Sequence, residues 1–381
     1  MIYLDNNSTT QIDDDVLKAM QPYLNQLYGN AASRTHKIGW DANDAIKIAR
    51  ERISDLINAR PDEIIFTSGS TEGINFIIKG VYDQYSEKGN HIITVKTEHK
   101  AVLDVCTYLE TKGADVTYLS VDKYGLIDLE ELKKAITAKT VLISVMYANN
   151  ETGVIQEIKE IGNIARKNNV FFMTDATQAI GKIPVDVVED NIDMLTLSAH
   201  KLYGPKGVGA VYIKRQFPKI KITPLLHGGG HEKGYRSGTL NVAGIVGLGK
   251  ACEMGNKNIS IFNNEILNLR NELEKSIMTI DSVSLNGDEQ KRLPTTVNIC
   301  VDGVDAEALI IKMRDKFAIA SGSACTSAEV LPSHVIMAMH DNKEKAYSSL
   351  RISLGKNTNG VDITNFFKLL KENIVSIKSI I

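Results

Sequence analysis

The 381-residue sequence lacks the features that mark several special classes of protein. It has no apolar run near the roughly 18 residues of a membrane-spanning helix. Its start, MIYLDNNSTT, lacks the basic and apolar stretches of a signal peptide. Lys+Arg (44) and Asp+Glu (46) nearly balance, so the formal net charge of −2 gives no overall attraction to nucleic acid or anionic lipid. We therefore expect a cytoplasmic enzyme with no membrane partner and no direct nucleic-acid partner.

Cysteine is scarce as well. The four cysteines are Cys106, Cys252, Cys300 and Cys325, and none belongs to a CxxC pair. This spacing argues against a zinc ribbon or a thioredoxin-type site, and we predict no bound metal. In a cytosolic protein the four side chains are expected to be reduced thiols. Three are predicted to be small buried hydrophobic side chains, whereas Cys325 stands in a polar loop sequence, SGSACTS.

Strand-like and helix-like segments alternate over the first two-thirds of the chain. The strand-like segments are 64–68, 91–95, 116–121, 141–147, 170–176, 193–199 and 208–213. This alternation predicts an α/β fold with a mostly parallel seven-stranded sheet covered on both faces. From about residue 255 a long amphipathic helix, a strand near 295–301, a helix at 305–315 and a closing pair of helices predict a smaller α+β domain. We assign 13–255 to the large domain, and 1–12 with 256–381 to the small one.

Two features that resemble nucleotide sites are discounted. GIVGLGKA (244–251) nearly matches the phosphate loop GxxxxGK[ST], but Ala251 occupies the Ser/Thr position and no apolar strand precedes the segment. We predict a glycine-bearing helix there. The strongest basic patch consists of Lys214, Arg215, Lys219 and Lys221, with Phe217 as its one aromatic residue. We interpret that patch as a solvated edge.

Two charged residues follow apolar strands. Lys201, in SAHKLYGPKG, stands between a strand and a Gly/Pro turn, where desolvation can lower the pKa of a lysine and allow a Schiff base. A surface lysine at a strand end is the alternative that this stretch alone favours. Asp175, in FFMTDATQAIGK, follows another strand and is costly to bury without a positive partner such as a protonated pyridine nitrogen. Its alternative is a helix N-cap.

Three further strand ends carry polar residues. In SGSTEG, Ser70 and Thr71 precede a helix and suit either a phosphate cradle or a helix cap. His99 follows the strand HIITV and can stack on a cofactor ring, move protons or be a hydrogen-bonded core histidine. Asn149 and Asn150 follow VLISVMY and can bind a ring oxygen or form a turn.

Taken together, these motifs resemble the NifS/IscS-type cysteine desulfurases, which are pyridoxal phosphate (PLP) enzymes of the class V aminotransferase superfamily. The resemblance rests on YLDNNSTT, SGSTEG, TEHKAV, NNETG, DATQAIGK, SAHKLYGPKG, HGGGHE with RSGT, SGSACTS with PSH, and SSLRISLG. The nine motifs occur in family order from residue 3 to about 355. The resemblance implies PLP fold type I.

The resemblance also implies roles at the cofactor. Lys201 is the Schiff-base lysine, Asp175 pairs with the pyridine nitrogen, Gln178 pairs with the ring oxygen and His99 stacks on the ring. The implied phosphate ligands are Thr71, Ser198, His200 and Ser70. Asn150 is expected to contact cofactor or substrate. Thr239, in RSGT, matches a threonine that completes the phosphate site of the neighbouring subunit, which implies a homodimer.

Substrate binding and sulfur capture are implied by two later motifs. Arg351 matches the arginine that grips the α-carboxylate of L-cysteine. Cys325 matches the nucleophile that takes the substrate sulfur as a persulfide and passes it to acceptor proteins, as in iron–sulfur cluster assembly or tRNA thiolation. Pro332, seven residues after Cys325, resembles the NifS/IscS branch rather than the SufS branch.

The sequence departs from the family in several places. Ser8 replaces a usual alanine, Gln11 replaces a usual proline, and NAASRTH (30–36) replaces an NPSS-type stretch. The chain ends soon after its last predicted helix, so we expect it to lack the longer tail that engages the iron–sulfur scaffold. A dedicated acceptor in tRNA thiolation or DNA phosphorothioation is then a hypothesis. The alternative functions are a selenocysteine lyase, a class V aminotransferase and, much less favoured, a non-catalytic sulfur-relay adaptor.

Overall fold

Twelve strands occur in the part of the chain that the computed structural model describes, which is residues 1–215, 217, 219–321 and 331–379. They are β1 (Ile2–Tyr3), β2 (Ile64–Thr67), β3 (His91–Val95), β4 (Asp115–Leu119), β5 (Thr140–Ser144), β6 (Phe171–Asp175), β7 (Met194–Ser198), β8 (Gly209–Ile213), β9 (Val283–Leu285), β10 (Thr296–Val301), β11 (Phe317–Ala318) and β12 (Ser349–Ser353).

The central sheet has seven strands in the order β2-β8-β7-β6-β5-β3-β4. Strand β8 runs antiparallel to both of its neighbours, whereas the other neighbouring strands are parallel. Every residue of β2, β3, β7 and β8 is buried, as expected when helices cover both faces of a sheet. The predicted α/β fold with a mostly parallel seven-stranded sheet is confirmed.

The helices cover this sheet and complete the rest of the molecule. They are α1 (Asp14–Met20), α2 (Pro22–Asn25), α3 (Lys37–Leu56), α4 (Ser70–Tyr85), α5 (Lys100–Glu110), α6 (Leu129–Ala135), α7 (Ile158–Lys167), α8 (Val242–Ile261), α9 (Leu267–Ile277), α10 (Ala306–Met313), α11 (His334–His340), α12 (Lys343–Tyr347) and α13 (Gly360–Lys378). Within the described ranges, no helix combines the length and the apolar character needed to cross a bilayer.

The segment GIVGLGKA lies inside α8, as predicted for a glycine-bearing helix. Its glycines have a packing role, because α8 crosses α3 closely. A Cβ atom on Gly249 would lie 2.5 Å from the Cα atom of Ala49 in α3. Since no real side-chain carbon approaches that closely, only glycine permits this crossing.

Buried hydrophobic residues form one cluster on each face of the central sheet and a further cluster elsewhere. The two sheet clusters include Phe172 on one face and Met173 on the other. The further cluster includes Leu4, Phe262 and Phe366, and it packs around the antiparallel sheet β12-β10-β9. Helix α8 continues through a π-helical turn, Phe262–Ile266, directly into α9, so a continuous helical segment runs from the cluster with Phe172 to the cluster with Phe366.

Three sequence predictions differ from the structure in detail. The strand predicted over 141–147 ends at Ser144, although Val145, Met146 and Tyr147 are buried. The long amphipathic helix predicted from about residue 255 is interrupted by the π-helical turn between α8 and α9. The hydrophobic pattern stays helical through this turn. A closing pair of helices was predicted, but the region after residue 333 contains three helices and strand β12.

Candidate active site

A cavity of about 930 Å³ lies at the carboxyl ends of the parallel strands. Its lining includes ten of the predicted site residues: Ser70, Thr71, His99, Asn150, Asp175, Gln178, Ser198, His200, Lys201 and Arg351. Thr239 is exposed and does not line this cavity. Cys325 lies outside the described residues, but Ser321, four residues earlier, lines the cavity wall. The shared edge of the sheet explains the convergence, because parallel strands direct the loops after them to the same side.

Lys201 ends a short 3₁₀ turn, Ala199–Lys201, that follows β7 directly. Its ammonium group donates hydrogen bonds to the carbonyl oxygens of Asn7 (2.5 Å) and Ser8 (2.6 Å). Burial and the nearby Arg351 guanidinium lower the pKa of Lys201 to about 8, against the opposite effect of two carboxylates. A substantial fraction of this amine is therefore neutral, and hence nucleophilic, near physiological pH.

Asp175 is the last residue of β6, and only 7% of its surface is exposed. Its Oδ1 atom accepts hydrogen bonds from the backbone N–H of Thr177 (3.0 Å) and from the Thr177 hydroxyl. The carboxylate thus stabilises the turn after β6 while it lines the cavity. Among the described residues, no lysine, arginine or histidine forms an ion pair with Asp175, so this buried carboxylate suits a cationic ligand.

The cavity wall also carries groups suited to an anion. Gly69, with φ of 154°, turns the chain between β2 and α4, and the backbone at Ser70 and Thr71 opens the sixteen-residue helix. Ser198 at the end of β7 and His200 line the same cavity. Burial, with neighbouring lysines, lowers the pKa of His200 to about 4, so its imidazole is neutral at physiological pH. Helix N–H groups, hydroxyls and a neutral imidazole are suitable partners for a phosphate.

Arg351 lies on β12 and is 5% exposed, although its sequence context alone would suggest a surface charge. Its Nη2 atom donates to the Asp5 carboxylate (2.7 Å) and the Ser8 hydroxyl (2.5 Å), and Nη1 donates to the Asn150 carbonyl oxygen (3.1 Å). Its Nε atom has no hydrogen-bond partner among the described residues. The cavity therefore contains an arginine with incomplete hydrogen bonding.

The structure gives different local roles to His99 and to the consecutive asparagines Asn149 and Asn150. His99 caps α5 by accepting a hydrogen bond from the Ala101 N–H (3.1 Å), and its exposed ring lines the cavity. Asn149 forms the turn, because its side-chain oxygen accepts from the backbone N–H groups of Glu151 and Thr152. Asn150 lines the cavity instead. The turn alternative is confirmed for Asn149, and a ligand contact by Asn150 stays a prediction.

Sequence reasoning missed three residues around the cavity. Asn7 is 1% exposed and contacts the side chains of Lys201, Gln178 and Lys182. Lys182 is a buried lysine four residues after Gln178, and Asp5 pairs with Arg351. All three stand in motifs that carry the family resemblance, but none of the three received a role there. Their importance comes from contacts between distant segments, which no local pattern reports.

Comparisons with known proteins agree with this geometry. The aminotransferase class-V family model matches residues 2–366. Cysteine desulfurase IscS from Neisseria meningitidis serogroup A is 47% identical over 379 residues, which cover 100% of this chain and 93% of that protein. The chain belongs to the NifS/IscS-type cysteine desulfurases of the class V family. This membership confirms the expected enzyme class and the dependence on PLP.

Solved structures support the same grouping. A NifS-like protein superposes with a TM-score of 0.92 at 36% identity, covering 99% of both chains. A structure titled SspA in complex with cysteine has a TM-score of 0.83 at 38% identity and covers 93% of this chain and 99% of that one. For this NifS/IscS-type chain, the expected PLP fold type I is confirmed.

The residues of the cavity fit the PLP that this family uses. The cavity offers a buried carboxylate that no described residue ion-pairs, an amine with a lowered pKa, and a helix N-terminus with hydroxyls around it. These groups match a pyridine nitrogen, an aldehyde and a phosphate, respectively.

Proposed function

We propose that this protein converts L-cysteine to L-alanine and captures the sulfur as a persulfide on Cys325. The observation that carries the proposal is the convergence of the Lys201 amine, the Asp175 carboxylate and the Arg351 guanidinium on one cavity. The reaction needs no external oxidant. The substrate C–S bond breaks and an S–S bond forms, while the substrate carbon gains a hydrogen and is reduced as the sulfur is oxidised.

The cofactor roles are assigned to the residues that line the cavity. Lys201 would hold PLP covalently and Asp175 would keep the pyridine nitrogen protonated, while Gln178 would contact the ring oxygen and His99 the ring face. The phosphate would be held by Ser70, Thr71, Ser198 and His200. When bound, the cofactor supplies an electron sink for negative charge at the substrate Cα.

Arg351 is the proposed site of the substrate α-carboxylate, with Asn150 beside it. The guanidinium already lies next to the Asp5 carboxylate, and one of its donors lacks a partner among the described residues. An arginine can grip a carboxylate through two parallel hydrogen bonds. The Lys201 amine would also move the Cα proton of the bound substrate.

Cys325 is the proposed nucleophile. Ser321, four residues before Cys325 in the sequence, lines the cavity, which supports this assignment. By contrast, burial raises the pKa of Cys106 and of Cys300 to about 12, so these thiols are poor nucleophiles.

The proposal includes a homodimer in which Thr239 completes the phosphate site of the other subunit. Thr239 is exposed and lies outside the cavity of its own chain, which supports such an exchange. We also propose the division into a large domain of residues 13–255 and a small domain of 1–12 with 256–381. The separation of the clusters at the central sheet from the cluster at the antiparallel sheet supports that division.

The acceptor is proposed to be a protein thiol in the cytoplasm, serving iron–sulfur cluster assembly, tRNA thiolation or another thio-modification. A selenocysteine lyase is the second candidate, because a carboxylate-binding arginine beside the cofactor lysine suits both amino acids. Relative turnover of L-cysteine and L-selenocysteine distinguishes the two functions.

Cofactor capture by the apoprotein is expected to depend on pH through Lys201. Only the neutral amine attacks an aldehyde, so the rate should rise about tenfold per pH unit below the lysine pKa and level off above it. With a pKa of about 8, the plateau begins near pH 8. Stopped-flow absorbance after mixing with PLP measures this profile. A rate that still rises up to pH 10 would indicate an ordinary lysine.

The proposed function is tested by intact-protein mass spectrometry after L-cysteine is added to the PLP-loaded protein. We expect one additional sulfur atom, removed by reductant and mapped to the peptide that contains Cys325, together with one alanine released per sulfur bound. Alanine formed without an added sulfur, in a protein that carries PLP, would contradict persulfide capture.

A further inference from the structure

Lys182 is a buried lysine that the proposed reaction does not use. It is 3% exposed, and its ammonium nitrogen lies 2.8 Å from the side-chain oxygen of Gln178 and 3.4 Å from that of Asn7. Among the residues that the structure describes, no carboxylate forms an ion pair with it. A lysine buried without a carboxylate is costly, so its presence calls for an explanation.

The surroundings of Lys182 determine which way the Gln178 amide faces. When Lys182 is protonated, its ammonium group can only donate hydrogen bonds, so the Gln178 oxygen points toward it. A carbonyl oxygen can only accept them, and the Gln178 nitrogen donates to the Asn7 carbonyl oxygen at 2.9 Å. Two fixed partners therefore exclude the flipped amide. The NH2 group has a second N–H, and Gln178 lines the cavity.

The charge of Lys182 also interacts with that of Lys201, the lysine proposed to hold the cofactor. The carbonyl oxygen of Asn7 accepts from Lys201, and the side-chain oxygen of the same asparagine accepts from Lys182. Burial, together with the charges of Lys201 and Arg351, lowers the pKa of Lys182 to about 7. Lys201 itself faces Arg351, Asp5 and Asp175. Two ammonium groups that share one asparagine each favour the neutral form of the other.

We propose that Lys182 is a positioning residue that locks Gln178 as a hydrogen-bond donor toward the bound cofactor and that, when protonated, places positive charge next to Lys201. This inference rests on the proposed use of PLP in the cavity. It predicts that the ligand atom opposite Gln178 must be an acceptor, such as an anionic ring oxygen. It also gives a chemical reason for burying a lysine that makes no ion pair among the described residues.

The test replaces Lys182 by methionine, which keeps the side-chain length but removes the donor and the charge. In the Lys182→Met protein we expect PLP to bind about tenfold more weakly, a loss that corresponds to one hydrogen bond. The pH at which the visible band of the bound cofactor changes should move upward, because removing a cation favours protonation near Lys201. Equilibrium titration of the apoprotein and absorbance against pH provide the two readouts.

Two further variants make the result interpretable. Lys182→Gln keeps a hydrogen-bond donor without the charge, so it should recover part of the PLP affinity but retain the upward pH shift. The same variant serves as the test if Lys182→Met does not fold. Lys167→Met, on the exposed face of α7, should match the wild type in both readouts. A folded Lys182 variant with wild-type affinity and wild-type pH midpoint overturns the inference. A wild-type protein that binds no PLP or forms no alanine refutes the proposed function instead.

Discussion

Replacement of Lys201 by alanine is expected to reduce alanine formation from L-cysteine by at least about 10³-fold. The variant loses the amine that holds the cofactor and the base that is placed to move the Cα proton. It should also lose the visible absorption band of the covalently bound cofactor. Both effects follow from the position of Lys201 at the end of β7, where burial and Arg351 lower its pKa to about 8. Alanine quantification and an absorbance spectrum measure them.

The matched control is Lys134→Ala, on the exposed surface of α6, which should behave as the wild type. Thermal unfolding of the Lys201→Ala apoprotein establishes that its fold is retained. Near-normal turnover by a folded Lys201→Ala protein would mean that another amine binds the cofactor.

Replacement of Cys325 by serine is expected to abolish the persulfide while PLP binding stays within about twofold of the wild type. Serine keeps the size and polarity of the side chain but removes the sulfur nucleophile, since the thiolate is the attacking species. Peptide mapping after incubation with L-cysteine measures the persulfide, and titration of the apoprotein with PLP measures the binding.

Cys300→Ser provides the matched control. Cys300 is buried on β10, and its pKa of about 12 keeps it a thiol, so this variant should still form the persulfide. Undiminished sulfide release by Cys325→Ser would contradict the assignment. Loss of the persulfide in Cys300→Ser alone would transfer the role to that cysteine.

The sequence predicted the fold because buried strands and helices leave different local patterns. The observed ends of the seven strands of the central sheet lie within three residues of the predicted ends, and the largest error is at β5. The residues after Ser144 stay apolar because they are buried, and Tyr147 still bonds through its backbone N–H to the Asp175 carbonyl oxygen at 2.9 Å. An apolar run indicates which residues are buried, but it does not indicate where the hydrogen-bonded strand ends. Strand β12 was not predicted, because its short sequence contains serines and an arginine, which are typical of the protein surface.

The sequence by itself determined the residues that follow the ends of parallel strands. Lys201, Asp175, His99 and Ser70 were identified because such ends meet at one edge of a sheet, whatever the details of packing. Only the tertiary structure decided that Asn7 joins Gln178, Lys182 and Lys201, and that Asp5 holds Arg351. These contacts connect residues more than 170 positions apart in sequence. They depend on where the N-terminal segment crosses the sheet edge, and no local periodicity encodes that path.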